Sequence, residues 1–154
     1  MDIGTIISYA SETVPDGFLE CDGSSLLRAD YAKLFTAIGT VWGTADATHF
    51  NIPDLRGKFP RGWAHGTAND PDRDSRSANA TGGETGDKVG SVQSHMYQSH
   101  GHTSSYQIGR IDAALGSTFP HFIVSTQYTS NQSPAYGSET RPININFMFI
   151  IRYE

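Results

Sequence analysis

Two histidines in the second half of the chain, His100 and His102, are the residues whose type and spacing most directly suggest chemistry. On an extended strand, residues two apart project to the same side, and Gly101 between them lets neighbouring backbones approach closely. Two imidazoles alone make a weak metal site, but three chains meeting on a threefold axis bring six imidazoles together. Zinc usually takes four ligands, so six nitrogens favour iron(II) on geometry. The alternative is that both histidines are ordinary surface residues.

Sequence patterns typical of catalysis are missing, which favours a protein that is not an enzyme. The chain has no Gly-x-Ser-x-Gly elbow, no Gly-rich phosphate loop, no His-Glu-x-x-His and no cysteine pair. Its carboxylates could still form a glycosidase pair, so a small glycan-cleaving enzyme stays an alternative. Cys21, in a strand-like context beside Asp22, is interpreted as a buried, inert thiol.

An acidic run at Asp70, Asp72 and Asp74 has the alternating spacing of a calcium loop. The glycine and the terminal glutamate that an EF-hand loop requires are missing at the corresponding offsets. We interpret the run as a solvated acidic turn inside residues 69–87, a stretch of small polar residues predicted to be a long loop or linker.

Composition bounds the class of protein that can position these residues. The 154 residues include 37% hydrophobic residues, 18% charged residues and 16 glycines, which indicates one turn-rich, β-leaning domain, or a domain with an appended tip. The net charge of −5 comes without a basic stripe, so nucleic acid is not an expected partner. One cysteine cannot form an intrachain disulfide, and no apolar run is long enough to span a bilayer.

The predicted fold class is mainly β with one short α-helix. Short strands are predicted at 3–9 and 18–21, with a turn at 15–17 between them. A helix is predicted over 30–38, with Asp30 as N-cap, Gly39 after its end and one apolar face; that face comprises Tyr31, Leu34, Phe35 and Ile38. Alternating apolar residues predict a closing strand within 138–154.

Residues 50–62 read FNIPDLRGKFPRG and contain two prolines and two glycines, which exclude a regular helix or a long central strand. An irregular turn-and-strand segment, pinned at both ends, is therefore predicted. Asp54 is expected to accept from backbone N–H groups or to pair with Arg56 or Arg61.

This stretch resembles the signature of the phage tail collar domain, found at the tips of tail fibres and in related bacterial proteins. The resemblance covers roughly the first 65 residues in the right order, and a second similarity to tail-fibre proteins precedes the His-x-His pair. The stretches that carry it are 4–6 (GTI), 15–23 (PDGFLECDG), 31–35 (YAKLF), 38–43 (IGTVWG), 50–62 and 89–93 (VGSVQ).

The resemblance implies the receptor-binding tip of a trimeric phage, prophage or tailocin tail fibre. Residues 1–66 would form a collar-type unit closed by the C-terminal strand 138–154, and residues 67–137 a linker and an intertwined, loop-rich receptor-binding tip. By the same resemblance, His100 and His102 of three chains would hold one iron(II) or zinc ion per trimer. Candidate sugar-stacking residues in the tip are Tyr97, Tyr106, Phe119, Tyr128 and Tyr136.

The implied partners are two further copies of the chain, in a homotrimer, and a bacterial surface glycan such as lipopolysaccharide, or an outer-membrane protein. The rest of the fibre shaft and a fibre-assembly chaperone complete the set. Such a protein is made in the cytoplasm of a bacterial host and resides in the virion. A purely structural collar protein without a receptor site is a further alternative.

Overall fold

The computed structural model of the protein describes residues 1–96 and 142–154. Residues 1–94 and 142–154 form one compact unit. Within the described residues the unit is mainly β with a single short helix, as predicted. Its elements in chain order are β1 (Ile6–Tyr9), β2 (Phe18–Glu20), β3 (Ser25–Leu27), α1 (Ala32–Ile38), β4 (His49–Asn51), a 3-10 turn (Arg73–Ser75), β5 (Ser77–Ala78), β6 (Ser91–Val92) and β7 (Met148–Arg152).

The C-terminal strand β7 is the centre of a three-stranded sheet with the order β1-β7-β2. It runs antiparallel to both neighbours, and Ile151 lies opposite Ile6 on one side and Leu19 on the other. Such cross-strand apolar pairs stabilise a sheet. Two strands from the first twenty residues are thus joined through the last few residues of the chain.

The predicted closing strand is shorter than expected. Pairing begins at Met148, which lies opposite Tyr9, the last residue of β1. Residues 142–147 precede it outside any strand, since β1 and β2 supply no further backbone partner there. Residues 138–141 lie outside the described part of the chain.

The helix α1 confirms the predicted apolar face but begins later than predicted. Asp30 is not the N-cap: Tyr31 holds that position without a side-chain cap, and its N–H donates to the Leu27 carbonyl in a preceding turn. Gly39 ends the helix with a φ of 57° and donates its N–H to the Phe35 carbonyl at 2.8 Å. Leu34 is completely buried.

The hydrophobic core joins this helix face to the sheet and to the 50–62 stretch. The ring of Phe35 lies 5.3 Å from that of Phe50, and Tyr31 makes an edge-to-face contact with Tyr153 at 5.4 Å. The core cluster of buried residues is Cys21, Leu34, Phe50, Ile52 and Ile151.

Residues 69–87, predicted to be a long loop or linker, contain the 3-10 turn and strand β5, which pairs with β6 to form the two-stranded β5–β6 ribbon. Their backbone is bonded to the stretch after α1: the Thr44 N–H donates to the Thr81 carbonyl at 2.8 Å and the Glu84 N–H to the Val41 carbonyl at 3.0 Å. The approach is close enough that a Cβ at Gly82 would lie 2.7 Å from the Thr44 carbonyl oxygen. Glycine is therefore required there, also because φ is +73°.

Candidate functional site

The predicted metal ligands, His100 and His102, lie outside the described residues, as do the five candidate sugar-stacking aromatics of the tip. The metal site therefore stays a prediction. Within residues 1–96 and 142–154, no three His, Cys, Asp or Glu side chains are grouped so that they could hold a metal ion. His95, at the end of the first described range, is exposed.

The acidic run does not converge on one point, and the prediction of a fully solvated turn is wrong for its first member. Asp70 is 4% exposed and faces two arginines, whereas the side chain of Asp74 is 87% exposed. The Arg76 guanidinium donates to Asp70 at 3.2 Å, and Arg61 lies 3.5 Å from the second carboxylate oxygen. Two cations balance the charge of this buried carboxylate.

Arg76 is the hub that holds residues 69–93 together, although these residues have hardly any apolar side chains to bury. Besides Asp70, its guanidinium donates to the hydroxyl and the carbonyl of Ser91, at 2.8 and 2.9 Å. It also donates to the Gln93 amide oxygen at 2.7 Å. A partly buried arginine with all these acceptors ties the 3-10 turn to β6. Sequence analysis missed this role, since an arginine between two serines is no motif.

The signature stretch acts as a clamp on residues 21–23. The Leu55 N–H donates to the Cys21 carbonyl at 2.9 Å, and the Gly23 N–H to the Pro53 carbonyl at 3.0 Å. Arg56 donates from two nitrogens to both Asp54 carboxylate oxygens, at 2.9 and 3.1 Å. This bidentate pair is the main reason why the pKa of Asp54 lies below its ordinary value.

Asp54 thus takes the predicted partner Arg56, while Arg61 goes to Asp70 instead. Lys58 adds a further tie, because its ammonium group donates to the Asp54 carbonyl at 2.8 Å and to the Asn79 side-chain oxygen at 2.9 Å. The stretch is pinned at both ends, as predicted, and its geometry is that of a structural clamp.

A network of hydrogen bonds around Asp46 orders the loop before β4. The Asp46 carboxylate accepts from the N–H groups of Thr48 and His49, at 2.7 and 2.8 Å. It also lies 3.0 Å from the Nδ1 atom of His49. The pKa of Asp46 is held well below its usual range, first by the Thr48 hydroxyl and then by the His49 side chain. Arg28 completes this network by donating to the Asp46 carbonyl at 3.2 Å.

The Cys21 thiol is buried, as expected. Burial first, and then the nearby carboxylates of Asp22 and Glu20, raise its pKa from 9.0 to about 12. A thiol with this pKa holds very little of the reactive thiolate at neutral pH.

The segment that leads into β7 carries an apolar stripe, defined here as Ile143, Ile145 and Phe147. Their exposed fractions are 105%, 78% and 48%. The alternation was expected to bury this face against the collar unit, and that expectation is wrong for residues 142–147. Asn144 and Asn146 alternate with the stripe, which therefore lies among uncharged neighbours. Contiguous exposed apolar surface of this kind is typical of an interaction site.

A second exposed apolar feature lies at the end of the 50–62 stretch and just after it, where Phe59 is 65% and Trp63 49% exposed. The indole of Trp63 stacks on the imidazole of His65, with ring centroids 4.1 Å apart and planes inclined by 20°. The structure contains, in the described ranges, no helix with the length and apolarity needed to cross a membrane.

The structure is thus a mainly β unit in which the C-terminal strand completes the sheet and the 50–62 stretch holds residues 21–23 in place. The Phage Tail Collar Domain family matches residues 4–60. RhiB of Rhizobium leguminosarum bv. viciae is 34% identical over 155 residues, covering 96% of this chain and 67% of RhiB. The chain therefore belongs to the phage tail collar family, which confirms the resemblance seen in the sequence.

Two further relatives extend the similarity over nearly the whole chain. StfE of Escherichia coli strain K12 is 27% identical over 179 residues, covering 99% of this chain and 88% of StfE. The short tail fiber protein gp12 of Enterobacteria phage T4 is 26% identical over 184 residues. That alignment covers 97% of this chain but 34% of the T4 protein, so the chain spans about a third of its length.

Proposed function

We propose that the chain is the host-recognition tip of a trimeric phage tail fibre, which adheres to a bacterial surface glycan or outer-membrane protein. The observation that carries this proposal is the similarity to the T4 short tail fiber protein, which extends over 97% of this chain and thus beyond the collar match at 4–60. Adhesion without catalysis is the activity proposed. Several copies of a modest contact surface on one particle give avidity from weak single sites.

A homotrimer is proposed as the assembled form, with the apolar stripe as the contact between copies. The stripe directly precedes β7, in which Ile150 and Ile151 are completely buried. Its intervening residues are asparagines, and absence of charge is typical of the centre of an interface. Covering Ile143 and Ile145 with their counterparts in other copies would remove two highly exposed aliphatic side chains from water.

One iron(II) or zinc ion per trimer, held by His100 and His102 of three chains, is proposed to stabilise the tip. The support is the His-x-His spacing and the family membership. The wider proposal is a virion component made in the host cytoplasm, joined to the rest of the fibre shaft and folded with a chaperone. Nucleic acid is not among the proposed partners, in line with the net charge of −5.

The adhesion proposal is tested with purified chain on whole bacterial cells and on immobilised lipopolysaccharide. Retention on cells or lipopolysaccharide, without release of reducing sugar over time, is the expected result. Reducing ends that appear with time, and that vanish when one carboxylate is replaced, would establish a glycan-cleaving enzyme instead. No retention on any host surface would leave a purely structural collar protein.

The metal proposal is tested by elemental mass spectrometry on untagged protein. About one iron or zinc ion per three chains is expected, with the ion lost in His102→Ala and retained in His95→Ala, the matched histidine outside the His-x-His pair. Metal-free protein, or equal loss in both variants, would contradict the axial site. The mass of the complex, measured by light scattering, reports separately on the trimer.

A further inference from the structure

Trp63 and His65 form a stacked pair that is exposed and yet held in one arrangement. The imidazole stacks on one face of the indole, with 4.1 Å between the ring centroids. The indole Nε1 donates to the Asp87 carbonyl at 3.1 Å. Despite these two contacts, 49% of Trp63 remains exposed, so about half of its surface is available to a ligand. A large aromatic surface is thus presented to water in a single orientation.

The loop that carries this pair is ordered by hydrogen bonds from outside it. The Gly66 N–H donates to the Asp87 carboxylate, and Arg73 donates to the Thr67 carbonyl at 2.9 Å. Within the loop, the Thr67 N–H donates to the Ala64 carbonyl at 3.0 Å. Asp87 therefore fixes both the indole and the backbone just after His65.

His65 has a φ of 50°, the single positive value for a non-glycine residue in the described ranges. Such backbone strain costs free energy and persists where surrounding contacts impose it, often at binding sites. The imidazole of this residue lies against Trp63, and neither residue belongs to the hydrophobic core. Core packing therefore gives no reason for this geometry.

The charges beside the pair are already balanced. Arg61 lies 3.5 Å from the Asp70 carboxylate, and Arg73 lies 3.9 Å from the carboxylates of both Asp74 and Asp87. An anionic ligand would have to compete with these carboxylates, in a chain whose net charge is −5. An uncharged ligand with one apolar face meets no such penalty.

We propose that the Trp63–His65 pair is a stacking platform for an uncharged pyranose ring, a glycan site in the collar unit separate from residues 97–141. A pyranose presents axial C–H groups on one face and hydroxyls around its rim. The C–H face lies on the exposed indole face, while the hydroxyls keep their contact with water. A pre-ordered aromatic side chain loses little conformational entropy on binding, which favours even a small ligand.

The test uses the full chain labelled with 5-fluorotryptophan, which carries two fluorine resonances because the sequence has two tryptophans, Trp42 and Trp63. A Trp63→Phe variant assigns the resonances. Titration with maltose, cellobiose and lactose is expected to shift the Trp63 signal, with dissociation constants in the roughly millimolar range. The Trp42 signal stays in place and serves as the internal control, and glucuronic acid is expected to bind more weakly.

His65→Gly removes the imidazole and relieves the positive φ, so it preserves folding while breaking the stack. It is expected to weaken the sugar-dependent shift about tenfold, whereas Leu27→Ala, which removes a 43% exposed apolar side chain on β3, leaves it unchanged. A Trp63 signal that none of the three sugars shifts, or an equal shift in His65→Gly, would overturn the platform.

Cell adhesion is measured separately, so that the two proposals can fail independently. Adhesion without a Trp63 shift contradicts the platform alone, and a Trp63 shift without adhesion contradicts the host-recognition proposal alone.

Discussion

Strand β7 and the segment just before it, residues 142–147, share one alternating apolar pattern but differ in burial. Ile151 is completely buried, whereas Ile143 and Ile145, which belong to the same alternation, are 105% and 78% exposed. The difference lies in the partners: β7 has a strand on each side, and residues 142–147 have none among the described residues. Period-two alternation therefore predicts which side chains share a face, while burial depends on what covers that face.

The largest effect expected from this comparison is on stability. Ile151→Ala should lower the free energy of unfolding by about 2–5 kcal/mol, because it leaves a cavity between Ile6, Leu19 and the core. The matched change Ile145→Ala should act through association, so its effect should shrink as the chain is diluted. Urea denaturation at several protein concentrations measures both. Equal, concentration-independent losses would show that the stripe is part of the unit's own core.

A second prediction concerns assembly and is smaller in energy. Ile145→Asp places a charge on the stripe and should raise the dissociation constant of the complex at least about tenfold, since an unpaired carboxylate is costly to bury. Asn144→Asp, which adds the same charge next to the stripe, should have a much weaker effect. Light scattering over a dilution series measures the change. If both variants dissociate alike, charge itself and not burial of the stripe controls association.

A third prediction concerns the reactivity of the Cys21 thiol, which serves as a probe of the buried region. The Cys21 N–H donates to the Phe149 carbonyl of β7 at 2.8 Å, so the thiol reports on opening around this strand. Its alkylation by iodoacetamide at pH 8 should be at least about a hundredfold slower than that of Asn144→Cys in a Cys21→Ser background. Comparable rates would mean that β7 opens as readily as residues 142–147.

The raised pKa of Cys21 also predicts the sign of an alkaline effect. The unfolded chain loses the thiol proton near pH 9.0, while the folded chain retains it up to about pH 12. The contribution of the Cys21 thiol to the free energy of unfolding should therefore be fully present below about pH 9 and be lost as the pH rises toward about 12. The Cys21→Ser variant should lack this component in urea denaturation at pH 8 and pH 10.

Local patterns in the sequence predicted the elements that depend on neighbouring residues. The apolar face of α1, the turn at 15–17 and the irregular backbone of residues 50–62 all follow from spacing or from proline and glycine. The sequence also predicted the family, because several short stretches occur in the family's order. Cap positions were predicted less well, since Tyr31 begins the helix through a bond to Leu27 that no local pattern signals.

Contacts between distant residues were decided by the tertiary structure. Arg76, which pairs with Asp70, reaches Ser91 and Gln93 only when the β5–β6 ribbon folds back. From the sequence alone, the charged stretch 69–87 therefore could not be distinguished from a solvated loop. The Trp63–His65 pair likewise depends on Asp87, more than twenty residues away in the chain. The sequence by itself determined the family, the fold class and the sides of each element. The tertiary structure decided which sides are covered and which polar groups are paired, because both depend on partners that the chain brings together only when it folds.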